Sequence, residues 1–205
     1  MITIVDVGIG NTGSIQNMIS FLGGSSQVTA DIDVISKSEK LILAGVGAYD
    51  TAMEQLNKNN LCSIIDQKVI KEKTPLLGIC LGMQLLCESS SEGQLPGLGY
   101  IPGKVCSFHD KEEIIHKKLK VPHMGWNNVK IDQKSSLLSG VDSSFRYYFV
   151  HSYYVDCPEK YSILSCFHGF QFPCAIQHEN IFGVQFHPEK SHRYGKQLFR
   201  NFLNL

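Results

Sequence analysis

The stretch Thr74-Pro-Leu-Leu-Gly-Ile-Cys-Leu-Gly-Met-Gln84 restricts the folds open to this chain more than any other. An apolar run leads into Gly78-Ile79-Cys80-Leu81-Gly82, and a helix-compatible segment, Met83 to Glu88, follows. A strand that turns sharply into a helix crowds its own backbone, so the positions flanking the turn need residues without Cβ. G-x-C-x-G meets that need and is the thiol version of the nucleophile elbow. Such a turn lifts the Cys80 sulfur above a sheet and sets it at a helix N-terminus, whose partial positive charge favours thiolate. A free thiol with a pKa of about 8.5 is only about a few per cent thiolate at neutral pH, so this placement and a nearby base both matter. The pentapeptide also suits a buried cysteine beside turn glycines, and five residues leave both readings open.

A base is offered far along the chain. Asn180-Ile-Phe-Gly-Val-Gln-Phe186 reads as a strand, and His187-Pro188-Glu189 follows directly. Pro188 favours an extended backbone at His187. Side chains at i and i+2 of an extended segment point the same way, so Glu189 can reach the imidazole, fix its tautomer and stabilise its charged form. Alone, His-Pro-Glu suits a solvated turn. With the elbow it completes a nucleophile–base–orienter set of Cys80, His187 and Glu189.

With 205 residues the chain suits one domain spanning 1–205, with a sizeable core. Nineteen basic and nineteen acidic side chains balance, which argues against a nucleic-acid or anionic-membrane surface. Apolar runs are too short to span a membrane, and Met-Ile-Thr-Ile-Val-Asp6 reads as a first strand, not a signal peptide. Seven cysteines without C-x-x-C spacing fit reduced thiols in a cytoplasmic protein. Of these only Cys80 has a catalytic context, and the other six read as small apolar residues. His109, His116 and His123 lack metal-ligand spacing, so no metal site is expected.

Strand–helix alternation marks the first half. Strands are expected over Ile2–Val7, Gln27–Ile35 and Lys40–Ala44, and helices over Ser14–Leu22, Asp50–Asn57 and Leu61–Lys71. Further strands follow over Leu98–Phe108, Val121–Ile131, Phe145–Val150, Tyr161–Phe167, Cys174–His178 and Asn180–Phe186, before a closing helix over Tyr194–Phe202. The mixed-charge segment from Asp110 to Lys120 reads as an exposed hairpin. The pattern predicts an α/β fold with an open, mainly parallel sheet, helices on its faces and an antiparallel extension. Ligands bind outside the carboxyl ends of such strands, where the elbow, the Gly45-Val46-Gly47 loop and His187 all fall. Gly8-Ile-Gly-Asn-Thr-Gly13 fits a dinucleotide fingerprint, with Asp31 and Asp33 where a ribose-binding acid is sought. That match is weak: the chain has no length left for a separate substrate domain, and no cofactor is expected.

Gly78-Ile-Cys-Leu-Gly-Met-Gln84 and Gly183-Val-Gln-Phe-His-Pro-Glu-Lys190 resemble the signature blocks of class I, triad-type glutamine amidotransferases. Val121-Pro-His-Met-Gly-Trp-Asn127 and Tyr147-Tyr-Phe-Val-His-Ser-Tyr153 narrow the resemblance to the glutaminase subunits of imidazole glycerol phosphate synthases. The resemblance implies hydrolysis of L-glutamine through a glutamyl thioester. It makes Gly45–Gly47 the oxyanion strand, with the amides of Val46 and Leu81 as donors. Gly47, Gln84, Glu92, His151, Ser152 and Tyr153 would line the glutamine pocket, Glu92 holding the substrate amino group. Ammonia would pass inside a heterodimer to a (β/α)₈ cyclase subunit making imidazole glycerol phosphate in histidine biosynthesis, with Trp126, Tyr148 and Lys190 facing that partner. The family's Gly-x-Gly-Asn stretch is a turn that holds no dinucleotide. One departure stands out. Ala44 occupies a position where the family usually has proline, which would leave the following loop softer without removing a donor. Two rivals remain: a paralogue supplying ammonia for amidino-modified surface sugars, and a catalytically silent nucleotide-binding module.

Overall fold

The computed structural model describes residues 1–8 and 10–205. In its first half β1 (Ile2–Val5), α1 (Thr12–Phe21), β2 (Ser26–Thr29), α2 (Ile32–Ser36), β3 (Lys40–Gly45), α3 (Tyr49–Lys58) and α4 (Leu61–Asp66) alternate. A π-helical turn over Gln67–Lys71 continues α4, and β4 (Leu76–Cys80) then enters α5 (Leu81–Leu85). The second half is richer in strands. It runs β5 (Ser89–Ser90), β6 (Lys104–Ser107), α6 (Glu112–His116), β7 (His123–Ile131), β8 (Arg146–His151), β9 (Tyr153–Asp156), β10 (Ser162–His168), β11 (Phe170–His178), β12 (Ile181–Val184) and α7 (His192–Leu203).

Nine strands form one sheet in the order β2-β1-β3-β4-β12-β11-β10-β7-β8. The run from β2 to β12 pairs parallel, and every pairing beyond β12 is antiparallel. A smaller sheet, β5-β6-β9, lies apart. β1, β4 and β12 are buried at every residue, as parallel strands covered on both faces should be. The period-2 alternation of strand side chains then splits the core in two. Ile42 and Ala44 of β3 join Ile15 and Ile19 of α1 and Leu198, Phe199 and Phe202 of α7 on one face. Leu41 and Leu43 join Leu56 of α3 and Ile65 of α4 on the other. Each such fully buried aliphatic or phenyl group contributes about 1.5–3 kcal/mol of transfer free energy.

The structure corrects three expectations. The strand expected over Gln27–Ile35 stops at Thr29, because the Asp31 carboxylate accepts from the N–H groups of Asp33 (2.8 Å) and Val34 (3.4 Å) and caps α2. Of Leu98–Phe108 only Lys104–Ser107 pairs, since Gly99 and Gly103 take φ of +68° and +157° and bend the chain before it. The charged segment forms α6, not a hairpin, with Glu112 and Glu113 in the first turn where the helix dipole favours them.

Gly8 turns at φ +71° and donates its N–H to the Asp6 carboxylate at 2.8 Å. A Cβ at Gly10 would come within 3.3 Å of the Ala44 carbonyl oxygen, so this glycine lets the turn rest against the end of β3. Ile9 lies outside the described residues.

Candidate active site

Cys80 ends β4 with φ +55° and ψ −109°, a conformation costly for any side chain. Packing enforces it. A Cβ at Gly78 would stand 2.6 Å from the Gly82 carbonyl oxygen, and one at Gly82 would stand 1.7 Å from that of Leu43. The helix α5 therefore sits directly on β3, and Cys80 is left 8 % exposed at the carboxyl edge of the sheet.

β12 lies against β4, with Gly183 opposite Gly78 and Val184 opposite Ile79. The chain leaving it brings His187 to the same edge. His187 Nδ1 meets Glu189 Oε1 at 2.8 Å, and both side chains are almost wholly buried. The His187 N–H donates to the Tyr148 carbonyl at 2.9 Å, and the Ser191 hydroxyl to the His187 carbonyl at 2.6 Å, so the turn is pinned to β8. Burial pulls the His187 imidazole down, but Cys80 and the carboxylate of Glu189 outweigh it and push the pKa up to about 9. Nε2 is buried and meets no partner at strict hydrogen-bond geometry among the described residues, yet the Cys80 thiol stands close enough to raise the ring's proton affinity. With Nδ1–H committed to Glu189, Nε2 is the nitrogen free to exchange a proton with sulfur.

One cavity of about 310 Å³ collects Cys80, His187, Val46, Gly47, Leu81, Gln84, Glu92, His151, Ser152 and Tyr153, together with Pro122 and Val150. Glu189 stands behind His187 and does not line it. Burial raises the Glu92 pKa, opposed by a hydrogen bond from the Tyr49 backbone N–H. The loop carrying Glu92 is clamped by Asp50 at the start of α3, whose carboxylate accepts from the N–H groups of Gln94 (2.9 Å) and Leu95 (3.0 Å). Ala44 lies inside β3, buried and paired with Ile79, so the missing proline restraint falls on held backbone. The less restrained part starts at Val46, which is 44 % exposed, and continues to Gly47 at φ +129°.

The opposite wall is held by side chains. The His151 ring meets the Tyr153 carbonyl through Nδ1 at 2.7 Å, and its Nε2 meets His123 Nδ1 at 2.9 Å. His123 Nε2 in turn faces the Asn127 amide nitrogen at 3.0 Å. A carbonyl only accepts and an amide NH₂ only donates, so the protons are assigned from both ends. His151 carries its proton on Nδ1, His123 carries its own on Nδ1, and each Nε2 accepts. Both rings must be neutral for this to hold. Burial, reinforced by the neighbouring His168, draws His123 down to about 4. Burial likewise draws His151 down to about 3.

The sequence profile of the family described as glutamine amidotransferase class-I matches residues 3–205. The chain belongs to this family. It is 50 % identical over 204 residues to imidazole glycerol phosphate synthase subunit HisH 2 of Methanococcus maripaludis, covering 99 % of this chain and 98 % of that one. Against subunit HisH of Bdellovibrio bacteriovorus the identity is 44 % over 203 residues, with 98 % of each chain covered. A crystal structure of a glutamine amidotransferase superposes with a TM-score of 0.74 at 17 % identity, covering 98 % of this chain and 97 % of the other, which speaks for the fold alone.

In this amidotransferase Trp126, Tyr148 and Lys190 stand outside the pocket on one surface. The Trp126 indole is 41 % exposed and stacks on His192 with ring centres 5.6 Å apart, while Lys190 Nζ lies 6.0 Å from the centre of the Tyr148 ring. All seven cysteines are free. Burial pushes the thiols of Cys87 and Cys174 well up and that of Cys166 to about 12, which suits inert apolar filler. Among the described residues, no helix is long and apolar enough to cross a membrane.

Three groups at the site were not singled out from sequence: Gln185, Asp50 and His123 with Asn127. His123 and Asn127 sit four apart on a strand and share a face, a period-2 signal that could have been read. Asp50 gave no signal, because its partners are backbone N–H groups of a distant loop.

Proposed function

We propose that this amidotransferase hydrolyses L-glutamine to glutamate and ammonia through a glutamyl thioester on Cys80, as the glutaminase subunit of an imidazole glycerol phosphate synthase in histidine biosynthesis. The observation that carries it is the joining of a strained elbow cysteine and a carboxylate-held histidine at one cavity. His187 Nε2 first takes the thiol proton; the thiolate then attacks the side-chain amide carbon, and the negative charge moves to the amide oxygen. The N–H groups of Val46 and Leu81 receive that oxygen, a contact whose loss typically costs about 10²–10³ in rate. The imidazolium returns its proton to the departing nitrogen, ammonia leaves, and the acyl group remains on sulfur. Water, deprotonated by the same Nε2, then cleaves the thioester and restores the thiol. Glu189 keeps the ring's tautomer and orientation throughout, and Glu92 binds the substrate ammonium.

Ammonia released into water would be lost as ammonium, so a subunit that consumes it belongs against this site. The relatives are named as subunits of a synthase, which supports a heterodimer. We assign the other subunit as a (β/α)₈ cyclase that docks on the face of Trp126, Tyr148 and Lys190. Tyr148 and Ser191 tie that face to the His187 turn, since the Tyr148 N–H donates to Ser191 Oγ at 3.0 Å. Docking there can therefore bias the turn, and a hundredfold activation needs about 2.7 kcal/mol of coupling.

The test compares glutamine hydrolysis by this chain alone, with the cyclase, and with the cyclase plus a nucleotide substrate analogue. Rates are expected to rise in that order. Cys80→Ala should abolish glutamine-dependent turnover while the complex still uses added ammonium. Substantial glutaminase activity in Cys80→Ala would overturn the assignment. Activation only by a sugar-modifying partner would move the chain to the surface-sugar pathway.

A further inference from the structure

We propose that Gln185 is a further catalytic residue of the glutaminase reaction: its side-chain amide donates to the Cys80 sulfur and stabilises the thiolate that attacks and later leaves. The inference rests on the reading of Cys80 as nucleophile. Gln185 follows β12 directly, is fully buried, and places Nε2 3.8 Å from Cys80 Sγ. An uncharged amide buried beside a reactive sulfur is costly unless both of its ends are used. Both are. Gln185 Oε1 accepts from Gln84 Nε2 at 3.1 Å, and Gln84 Nε2 also reaches the Tyr153 carbonyl at 3.4 Å. A carbonyl cannot donate, so the contact with Tyr153 identifies the Gln84 nitrogen as the atom on that side. The donor from Gln84 then requires oxygen at Gln185 Oε1 and leaves the Gln185 NH₂ facing sulfur. The Tyr153 carbonyl is itself fixed by His151, so the orientation of the Gln185 amide is anchored as far out as Asn127.

The direction of this contact decides what it does. A neutral thiol sulfur is a weak acceptor and a thiolate a strong one, so a fixed donor favours the charged form. His187 supplies a cation that is consumed when it hands its proton to the departing ammonia. Gln185 keeps its donor in every state. It therefore acts when sulfur carries charge: before attack, and again when the S–C bond of the thioester intermediate breaks and the electron pair returns to sulfur. The other titratable groups lining the cavity are His187, Glu92, His151 and Tyr153, with Glu189 behind His187, and a change at Gln185 leaves all of them in place.

The test is the pH dependence of Cys80 alkylation by iodoacetamide in the full-length protein, followed on the Cys80 peptide by mass spectrometry. Gln185→Met keeps the side-chain volume and removes the donor. We expect its alkylation profile to move to higher pH by about one unit, with kcat down about tenfold and KM for glutamine within about threefold. If Gln185→Met does not fold, Gln185→Asn carries the same reading, because its amide is one methylene too short to reach the sulfur. An alkylation profile identical to the parent's in a folded variant would overturn the proposal, and a lowered unfolding temperature with an unmoved profile would reduce Gln185 to a packing residue. Cys80→Ala, assayed alongside, keeps the two readings apart: activity in that variant removes the nucleophile itself, whereas an inactive Cys80→Ala with an unmoved Gln185→Met profile removes only the role of Gln185.

Discussion

The two walls of the pocket are held by different forces. On the Cys80 side, backbone packs on backbone, with α5 pressed on β3 so closely that no Cβ fits at Gly82. On the Tyr153 side, a file of neutral imidazoles holds a carbonyl in place. The first arrangement is steric and indifferent to protons. The second exists only while two buried rings stay uncharged. A site can thus have one wall whose geometry is the same at every pH and another that yields to acid.

The largest effect expected from breaking this contrast is at the steric wall. Gly82→Ala must displace α5 or β3, since its Cβ would sit 1.7 Å from the Leu43 carbonyl oxygen. Overpacking of this kind against backbone should cost about 3 kcal/mol or more and remove glutaminase activity. Urea unfolding and turnover measure both, and a variant of parental stability and rate would show that the elbow is not held by packing.

The polar wall should respond to pH instead. His123 and His151 are held near 4 and 3 by burial, against about 6.5 in an unfolded chain. The unfolded state therefore binds more protons below about pH 6.5, so their contribution to stability is full above that value and lost as pH falls toward 4. His187 has the opposite sign: its raised value near 9 gives stability below about pH 6.5 that is lost as pH climbs through 9. Urea midpoints across pH 4–9 should show both limbs. His123→Phe should flatten part of the acid limb and leave the alkaline one, and an unchanged acid limb would place the sensitivity elsewhere.

The smallest effect expected is at Asp50. Releasing the Glu92 loop by Asp50→Ala should raise KM for glutamine about three- to tenfold with kcat within about twofold. Chloroacetamide lacks the α-amino group that the proposed binding mode gives to Glu92, so its rate of Cys80 alkylation should not change. Equal loss with both reagents would mean that Asp50 supports the elbow and not the amino-group subsite.

What was legible in the sequence follows the same division. The elbow could be read because strain at a turn demands glycine on both sides, and His187-Pro-Glu189 because a two-residue spacing fixes mutual reach. The parallel strands announced themselves through continuous apolar runs. The segment 32–35 reads as strand because its β-branched residues hide the cap made by Asp31, a side-chain choice that composition does not reveal. Gln185 stays hidden beside its more conspicuous neighbour: an amide in an apolar run names no chemistry until the group at its end is known. Asp50 and the histidine file depend on segments brought together only by the fold.

The pairing of β12 with β4 also has a bearing on how the protein is made. Cys80 and Gln185 are 105 residues apart in the chain, and His187 follows two positions later. Strand pairing across such a separation has a large loop-closure cost and tends to come late in folding. During synthesis the elbow strand therefore leaves the ribosome well before the strand that brings a proton acceptor to its sulfur. For that interval the growing polypeptide carries its thiol with neither His187 nor Gln185 beside it, and on the proposed mechanism the insertion of one short strand between β4 and β11 is what completes the site.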